Sequence, residues 1–424
     1  MPKANPEIEA FARIKVVGIG GSGGNAVDHM IRSEVRGVEF ITMNTDAQAL
    51  HHSAATKKIH MGKNLTRGLG TGMNPELGRK SAEETMEEIQ SILKGADMIF
   101  IACGMGGGTG TGASAVVAKI AKDQGALTVA VVTRPFFFEG SQRAYVADQG
   151  LQELAREVDA LIVIPNDRLL GLVDKNTTCL SAFAMCDEVL RQAVEGISDL
   201  ITTPGIINVD FADIKAVMQN AGSALMGIGS AIGEKRAEEA ARQAINSPLL
   251  DISIEGARGV LFAIAGGDDM TMFEVQEAAK VITESIDRDA KVIFGAIRDE
   301  RLKKNELKVT VIASGFPENS VQRALGIGTY QDRRAKEAEP KKERERESAP
   351  IFGRREPIVL TPRDKDEDED GKAFAASLIS RSKESKQEPK PIIPEKPVRE
   401  EKKEEEDDDD WSSIPAFLRR SRLK

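Results

Sequence analysis

The sequence predicts an α/β fold, a mostly parallel sheet covered by helices on both faces, and three observations predict it. Short β-branched apolar runs alternate with amphipathic helical patterns through the first half of the chain. Glycine-rich turns, "GIGGSGGN" and "GMGGGTGTG", follow two of those runs. Hydrophobic residues make up 41% of the 424 positions but aromatics only 4%, so aliphatic side chains must build the core.

Taken in order, "RIKVVGIG", "EFITMNTD", "DMIFIACG", "ALTVAVVT" and "DALIVIPN" read as strands buried on both faces. "GRKSAEETMEEIQSILKG" and "ASAVVAKIAKDQG" between them read as helices. A long helical pattern runs from Ser181 to Thr203 and stops at Pro204. Beyond it, "GSALMGIGSAI", "GVLFAIAGG", "VIFGAIRD" and "LKVTVIASGF" read as strands of a second unit ending near Phe316. "EKRAEEAARQAI" and "TMFEVQEAAKVITESI" are its helices. Residues 317–410 are charged, proline-bearing and poor in apolar clusters, which predicts a disordered linker.

Composition narrows the function classes. The net charge of −9 argues against non-specific nucleic-acid binding, and much of it sits at residues 400–410, nine acids against two lysines. Cys103, Cys179 and Cys186 form no CxxC pair and read as reduced, buried thiols. No export signal or membrane-length apolar run is evident, so a soluble intracellular protein is expected.

In parallel sheets, ligands gather outside the carboxyl ends of the strands, where both glycine loops fall. Gly18, Gly20 and Gly23 form a GxGxxG frame between a strand and a helix, suited to a phosphate at the helix N-terminus. Alone it also fits an unliganded tight turn, or a dinucleotide oxidoreductase with Glu39 or Asp46 as the ribose acid. The second loop has six glycines in nine positions, with Thr109 and Thr111 as hydroxyl donors. Two such loops suit a triphosphate gripped from two sides. No GxxxxGK[ST] occurs, which excludes a P-loop, and neither loop holds a lysine. His29, His51, His52 and His60 are scattered, and neither a zinc motif nor a serine elbow is present.

"GGGTGTG" resembles the signature of the tubulin/FtsZ family of GTPases, and the chain to about Phe316 resembles its bacterial cell-division branch. "GGSGGNAV", "NTDAQAL", "TRGLG", "VVTRPF", "IVIPNDRLL", "NVDFADIKAVM" and "GSALMGIG" carry the likeness. Ser22, Thr71, Met73 and Phe137 depart from the usual pattern. The resemblance implies a GTP-binding domain at 1–180, a connecting helix at 181–203, an activation domain at 204–316, the linker at 317–410 and a partner-binding peptide at 411–424. It implies a cytoplasmic GTPase that polymerises head-to-tail into filaments of a mid-cell division ring, using GTP/GDP with Mg²⁺.

By the same resemblance, Phe183 and Asp187 meet the base. A carboxylate there accepts from the N1 and N2 donors of guanine, whereas adenine has no donor at N1. Asn25 and Asn166 are base-side contacts; Glu139 and Arg143 meet ribose and phosphate. Gly21, Ser22, Gly23, Gly24, Asn44, Gly70, Gly72, Gly106, Gly107, Gly108, Thr109, Gly110 and Thr133 complete the nucleotide set. Without the resemblance, Phe183 reads as core, Asp187 as a solvated charge and Glu139/Arg143 as a surface ion pair.

Asp210 and Asp213, three apart at a helix start, read either as a cap and first-turn acid or as catalysts. The resemblance implies the second: with Asn208, they lie on a loop that one subunit presents to its neighbour's nucleotide. A non-hydrolysing scaffold would explain all but their placement. "WSSIPAFLRRSRLK", with Trp411, Ile414, Pro415, Phe417 and Leu418 beside basic residues, resembles a peptide that binds membrane-attached adaptors such as FtsA or ZipA.

Overall fold

The computed structural model describes residues 12–171, 177–247, 254, 256–299 and 301–316. The linker and terminal-peptide expectations lie outside them. β1 (Ile14–Ile19) leads into α1 (Gly20–Arg32), and β2 (Val38–Asn44) into α2 (Ala47–His52) and β3 (Lys57–His60). α3 (Lys63–Thr66), α4 (Pro75–Glu84) and α5 (Met86–Leu93) follow. β4 (Met98–Gly104), α6 (Thr109–Asp123), β5 (Leu127–Arg134), α7 (Ser141–Glu157), β6 (Ala160–Pro165) and α8 (Asn166–Leu170) complete the first half. The 24-residue α9 (Cys179–Thr202) then runs to α10 (Phe211–Met218). β7 (Gly222–Ile232), α11 (Arg236–Ile245), β8 (Gly259–Gly266), α12 (Met272–Glu284), β9 (Lys291–Arg298) and β10 (Glu306–Ser314) form the rest.

All ten strands join one sheet in the order β3-β2-β1-β4-β5-β6-β7-β10-β8-β9. The pairs from β3 through β7 are parallel, as are β8 and β9; β10 runs antiparallel to both its neighbours. The halves meet where β6 pairs with β7 over only Ala160↔Gly222, Leu161↔Ser223 and Ile162↔Ala224.

Strand alternation splits the core between the two faces. Val17 and Ile19 of β1 join Ile99 and Ile101 of β4 under Val117 of α6, in a cluster reaching Ala240 of α11 and Val275 of α12. Ile14 and Val16 join Met98 and Phe100 on the other face, under Val27 and Met30 of α1, Leu190 and Ile197 of α9, and Ile214 of α10. Cys103 and Cys186 are buried and free, as expected.

The expected helix over residues 78–95 is divided at Thr85, whose hydroxyl donates to the Ser81 carbonyl (3.0 Å) and accepts from the Gly62 N–H (3.1 Å). α9 carries a line of paired charges. Arg191 donates to Glu188 (2.6 Å) and Glu195 (2.5 Å), and Glu195 also accepts from Arg301 (2.5 Å). His29 of α1 sits 2.9 Å from Glu188. Burial opposes ionisation of Glu188, but its hydrogen bonds to Arg191 and His29 hold its carboxyl well below the usual range.

α4 lies so close to α6 that a Cβ at Gly112 would fall 1.9 Å from the Pro75 carbonyl oxygen. Gly112→Ala is therefore expected to force these helices apart and lower stability by about 1–3 kcal/mol. Urea unfolding measures it, and an unchanged midpoint would contradict the contact.

Candidate functional site

The strand order reverses between β1 and β4, which opens a crevice at their carboxyl ends. The helices that follow these two neighbouring strands, α1 and α6, begin at Ile19 and Gly108 without side-chain caps. Each therefore leaves first-turn N–H groups and the positive end of a helix dipole for an anion. No lysine is needed to make this region attract phosphate.

The glycines of the two loops serve two different purposes. Several are bare because another backbone occupies the space: a Cβ at Gly23 would lie 2.3 Å from the Ala102 carbonyl oxygen, and one at Gly20 (φ +74°) 3.0 Å from the Gly110 nitrogen. These seat α1 against β4 and the loops against each other. Gly21 and Gly107 face open space, with nothing within 4 Å of a Cβ. That is where a ligand can approach naked peptide groups.

Five adjacent parallel strand ends carry most of the sequence-predicted nucleotide residues: Asn44 on β2, Gly21–Asn25 after β1, Gly106–Gly110 after β4, Thr133 on β5 and Asn166 after β6. Four strand spacings make this row roughly 19 Å long. At its β2 end, the Thr109 hydroxyl lies 2.7 Å from that of Thr45 and 3.2 Å from that of Thr71. This threonine trio ties the loop holding Gly70 and Gly72 to the start of α6. That loop is tightly wound, with positive φ at Arg67, Gly68, Gly70, Gly72 and Met73. Asn44 directs its side-chain oxygen to the Thr45 N–H (2.8 Å) and the Asp46 N–H (3.2 Å), shaping its own turn.

At the β6 end, Asn166 is 5% exposed and its side-chain oxygen has no partner. Nearer the middle, Arg143 lies against the loop after β4, where a Cβ at Gly106 would lie 2.8 Å from its Cγ. Arg143 pairs with Glu139 (3.1 Å), yet its Nε is buried and unpartnered. Buried polar atoms without partners are destabilising, so both fit a site that a polar ligand completes. Phe183 of α9 stands edge-on to Phe136 at 5.4 Å and remains 42% exposed. One turn on, burial pushes the Asp187 carboxyl up to about 6, against the pull of the His29 and Arg32 charges. Asn25 and Ser22 are exposed beside this row.

Residues 13–174 match the model of the tubulin/FtsZ family GTPase domain, and residues 222–317 that of the FtsZ family C-terminal domain. An FtsZ dimer from M. jannaschii superposes with a TM-score of 0.70 at 48% identity, covering 72% of this chain and 89% of that one. The chain belongs to the tubulin/FtsZ family. More distant likenesses, at 21% identity, include CetZ2 from Haloferax volcanii in a GTPγS-bound protofilament and CetZ1 from the same organism as a GDP-bound monomer. Their TM-scores are 0.63 and 0.65; each covers 76% of this chain, which covers 99% of each. As a tubulin/FtsZ protein, the chain is a GTPase of a filament-forming, cytoskeletal kind.

Family membership removes the oxidoreductase alternative, and the two acids that would have served it are engaged elsewhere. Glu39 pairs with Lys15 and Lys57, while Asp46 caps α2 through the Gln48 and Ala49 N–H groups. The departures from the tubulin/FtsZ pattern also find places. Thr71 joins the threonine trio, Met73 adopts a left-handed turn conformation at φ 63°, and Phe137 projects outward, 76% exposed.

The predicted catalytic residues do not join this row within one chain. Asn208, Asp210 and Asp213 follow the far end of α9, whose 24 residues span about 36 Å. There Asp210 caps α10 by accepting from the Ala212 N–H (3.1 Å), and Asn208 accepts from the Gly205 N–H (2.6 Å). Both acids are exposed. Sequence reasoning missed the Thr45–Thr109 pairing and Phe136 as the ring behind Phe183, although both lie in the quoted stretches "NTDAQAL" and "VVTRPF". Among the described residues, no group of three or more His, Cys, Asp or Glu could hold a metal ion. No helix there is long and apolar enough to cross a membrane.

Thr45 is fully buried. Thr109→Val is expected to strand its hydroxyl and lower stability by about 1–3 kcal/mol. Urea denaturation without nucleotide checks this; an unchanged midpoint would show the trio to be dispensable.

Proposed function

We propose that the chain is an assembly-coupled GTPase whose catalytic pocket is shared between two molecules. The observation that carries this reading is the length of α9. Phe183 and Asp187 lie near its start, whereas Asp210 and Asp213 follow its end, so one chain cannot bring both to the same nucleotide. A second copy stacked head-to-tail can. Such a contact is heterologous and does not close on itself, so it propagates into a filament.

In this reading the first-turn amides of α1 and α6, with Gly21 and Gly107 bare, hold the triphosphate. Asn25 and Asn166 meet the base side, Glu139 and Arg143 the ribose and phosphate, and Phe183 lies along the base while Asp187 reads guanine. Mg²⁺ carried by the phosphates would offset their charge, since neither loop supplies a lysine. Asp210 and Asp213 of the neighbouring molecule orient water for attack on the γ-phosphorus. The bond to the β,γ-bridging oxygen breaks, GDP leaves with the electron pair, and the water's proton passes to phosphate or solvent. Asp213 is the better partner for that water, since Asp210 already caps a helix. A non-hydrolysing scaffold does not accord with membership of this GTPase family.

The filament would serve a cytoplasmic division ring at mid-cell. Ile414, Pro415, Phe417 and Leu418 would tether it to membrane-attached adaptors of the FtsA or ZipA kind, with neither nucleic-acid binding nor membrane insertion. Residues 181–203 would connect the GTP-binding and activation domains.

GTP turnover per chain is expected to rise steeply above a threshold protein concentration. Asp213→Ala should retain GTP affinity and sedimentable polymer while losing at least 100-fold in turnover (order of magnitude). Normal hydrolysis by assembled Asp213→Ala would overturn the shared pocket.

Guanine needs the Asp187 anion. Because burial raises this carboxyl to about 6, the anion persists above that pH and is lost as pH falls through it. GTP affinity should weaken below pH 6, approaching tenfold per unit. Asp187→Asn should lack that component, so subtracting its titration from the wild-type one isolates Asp187 from the nucleotide's own ionisation. Superimposable titrations would exclude Asp187 as the guanine reader.

A further inference from the structure

Residues 203–210, between α9 and α10, form no helix or extended strand, yet they are fixed to the sheet at one point. β9 is an edge strand, and its Ala296 turns both backbone groups outward to this loop. The Ala296 carbonyl accepts from the Ile206 N–H (2.8 Å) and the Ile207 N–H (3.1 Å), and the Ala296 N–H donates to the Ile207 carbonyl (3.1 Å). Such a close approach needs bare backbone on both sides. A Cβ at Gly205 would lie 2.5 Å from the Ala296 oxygen. One at Gly295 would lie 2.6 Å from the Leu200 side chain and 3.0 Å from that of Val209. Just past the bridge, Asn208 closes a turn onto the Gly205 N–H (2.6 Å), Val209 is buried, and Asp210 starts α10.

We propose that the Ala296 edge of β9, admitted by Gly205 and Gly295, is a positioning device that sets the aim of Asp210 and Asp213 at the neighbouring molecule's nucleotide. The inference rests on the shared-pocket reading and extends it. Three backbone hydrogen bonds hold the loop to Ala296, and the buried Val209 side chain packs beside them at Gly295. The acids thus leave the loop at a fixed point on a sheet edge rather than on a free strap. A misplacement of about 1 Å can reduce a rate 100-fold, so a device of this kind affects turnover well before it affects binding. The residues act through Asp210 and Asp213 and need not touch the nucleotide.

The test uses full-length protein carrying Gly205→Ala, Ala296→Pro, Ala296→Gly or Asp213→Ala. Gly205→Ala wedges the loop from the strand. Ala296→Pro removes the outward N–H of an edge residue, a place where a strand tolerates proline. Both are expected to keep GTP affinity and sedimentable polymer while phosphate release per polymerised subunit falls roughly 10- to 100-fold. Ala296→Gly keeps all three hydrogen bonds and should stay within about twofold of wild type. A defect in folding alone would lower polymer yield and leave the rate per polymerised subunit unchanged.

If Asp213→Ala is inactive while assembled Gly205→Ala and Ala296→Pro hydrolyse normally, the positioning proposal falls and the shared pocket stands. If Asp213→Ala is itself active, the shared pocket falls first. Should the variants not fold, amide hydrogen exchange on the wild type decides: Ile206 and Ile207 should be protected, and exchange at the rate of an unbonded loop would overturn the proposal.

Discussion

Two helices that begin without caps, side by side at the reversal of the strand order, are the constraint on which this architecture turns. An α-helix leaves four N–H groups unsatisfied at its start, and most proteins close some of them with a serine, threonine, aspartate or asparagine. α1 and α6 omit that closure. Because β1 and β4 are neighbours, the two unclosed ends converge on one crevice, where they form a positive pole without a lysine. The glycine loops after β1 and β4 lie at these two helix starts, and the threonine trio fixes the start of α6.

Convergence at that distance has a steric condition. Two helix starts and a strand must pass within contact of one another, so glycine is required first by the protein's own backbone and only second by a ligand. Gly23, Gly110 and Gly112 meet the first demand, whereas nothing lies within 4 Å of a Cβ at Gly21 or Gly107. A glycine-rich signature therefore overstates its ligand contacts when read as a phosphate loop alone. Much of its repetition is close packing.

β1, β4, β5 and β6 were legible because each is a nearly continuous apolar run, and burial on both faces demands that pattern, whereas the edge strand β3, with two exposed lysines, was not read from the sequence. α9 was legible from Ser181 onward because nothing in it breaks a helix before Pro204. α7 was not read from the sequence: it follows the irregular "RPFFFEG" and contains Gly150, which is bare because Thr111 crowds it. The mixed direction of the second half was equally hidden, since hydrophobic runs carry no polarity. For the site, residue types at strand ends were readable, but the threonine trio joins positions 45, 71 and 109, distant in sequence and close only in the fold. For the acidic segment the structure bears out the capping reading: Asp210 is a helix cap, as its spacing alone suggests, and Asp213 is an exposed acid in the first turn.

The narrow pairing of β6 with β7 means that strand hydrogen bonds alone do not join the two halves. Three residue pairs link strands that, on the far side of β7, engage β10 over nine. The apolar clusters on both faces run past this short seam, so packed side chains and α9 carry load between the halves.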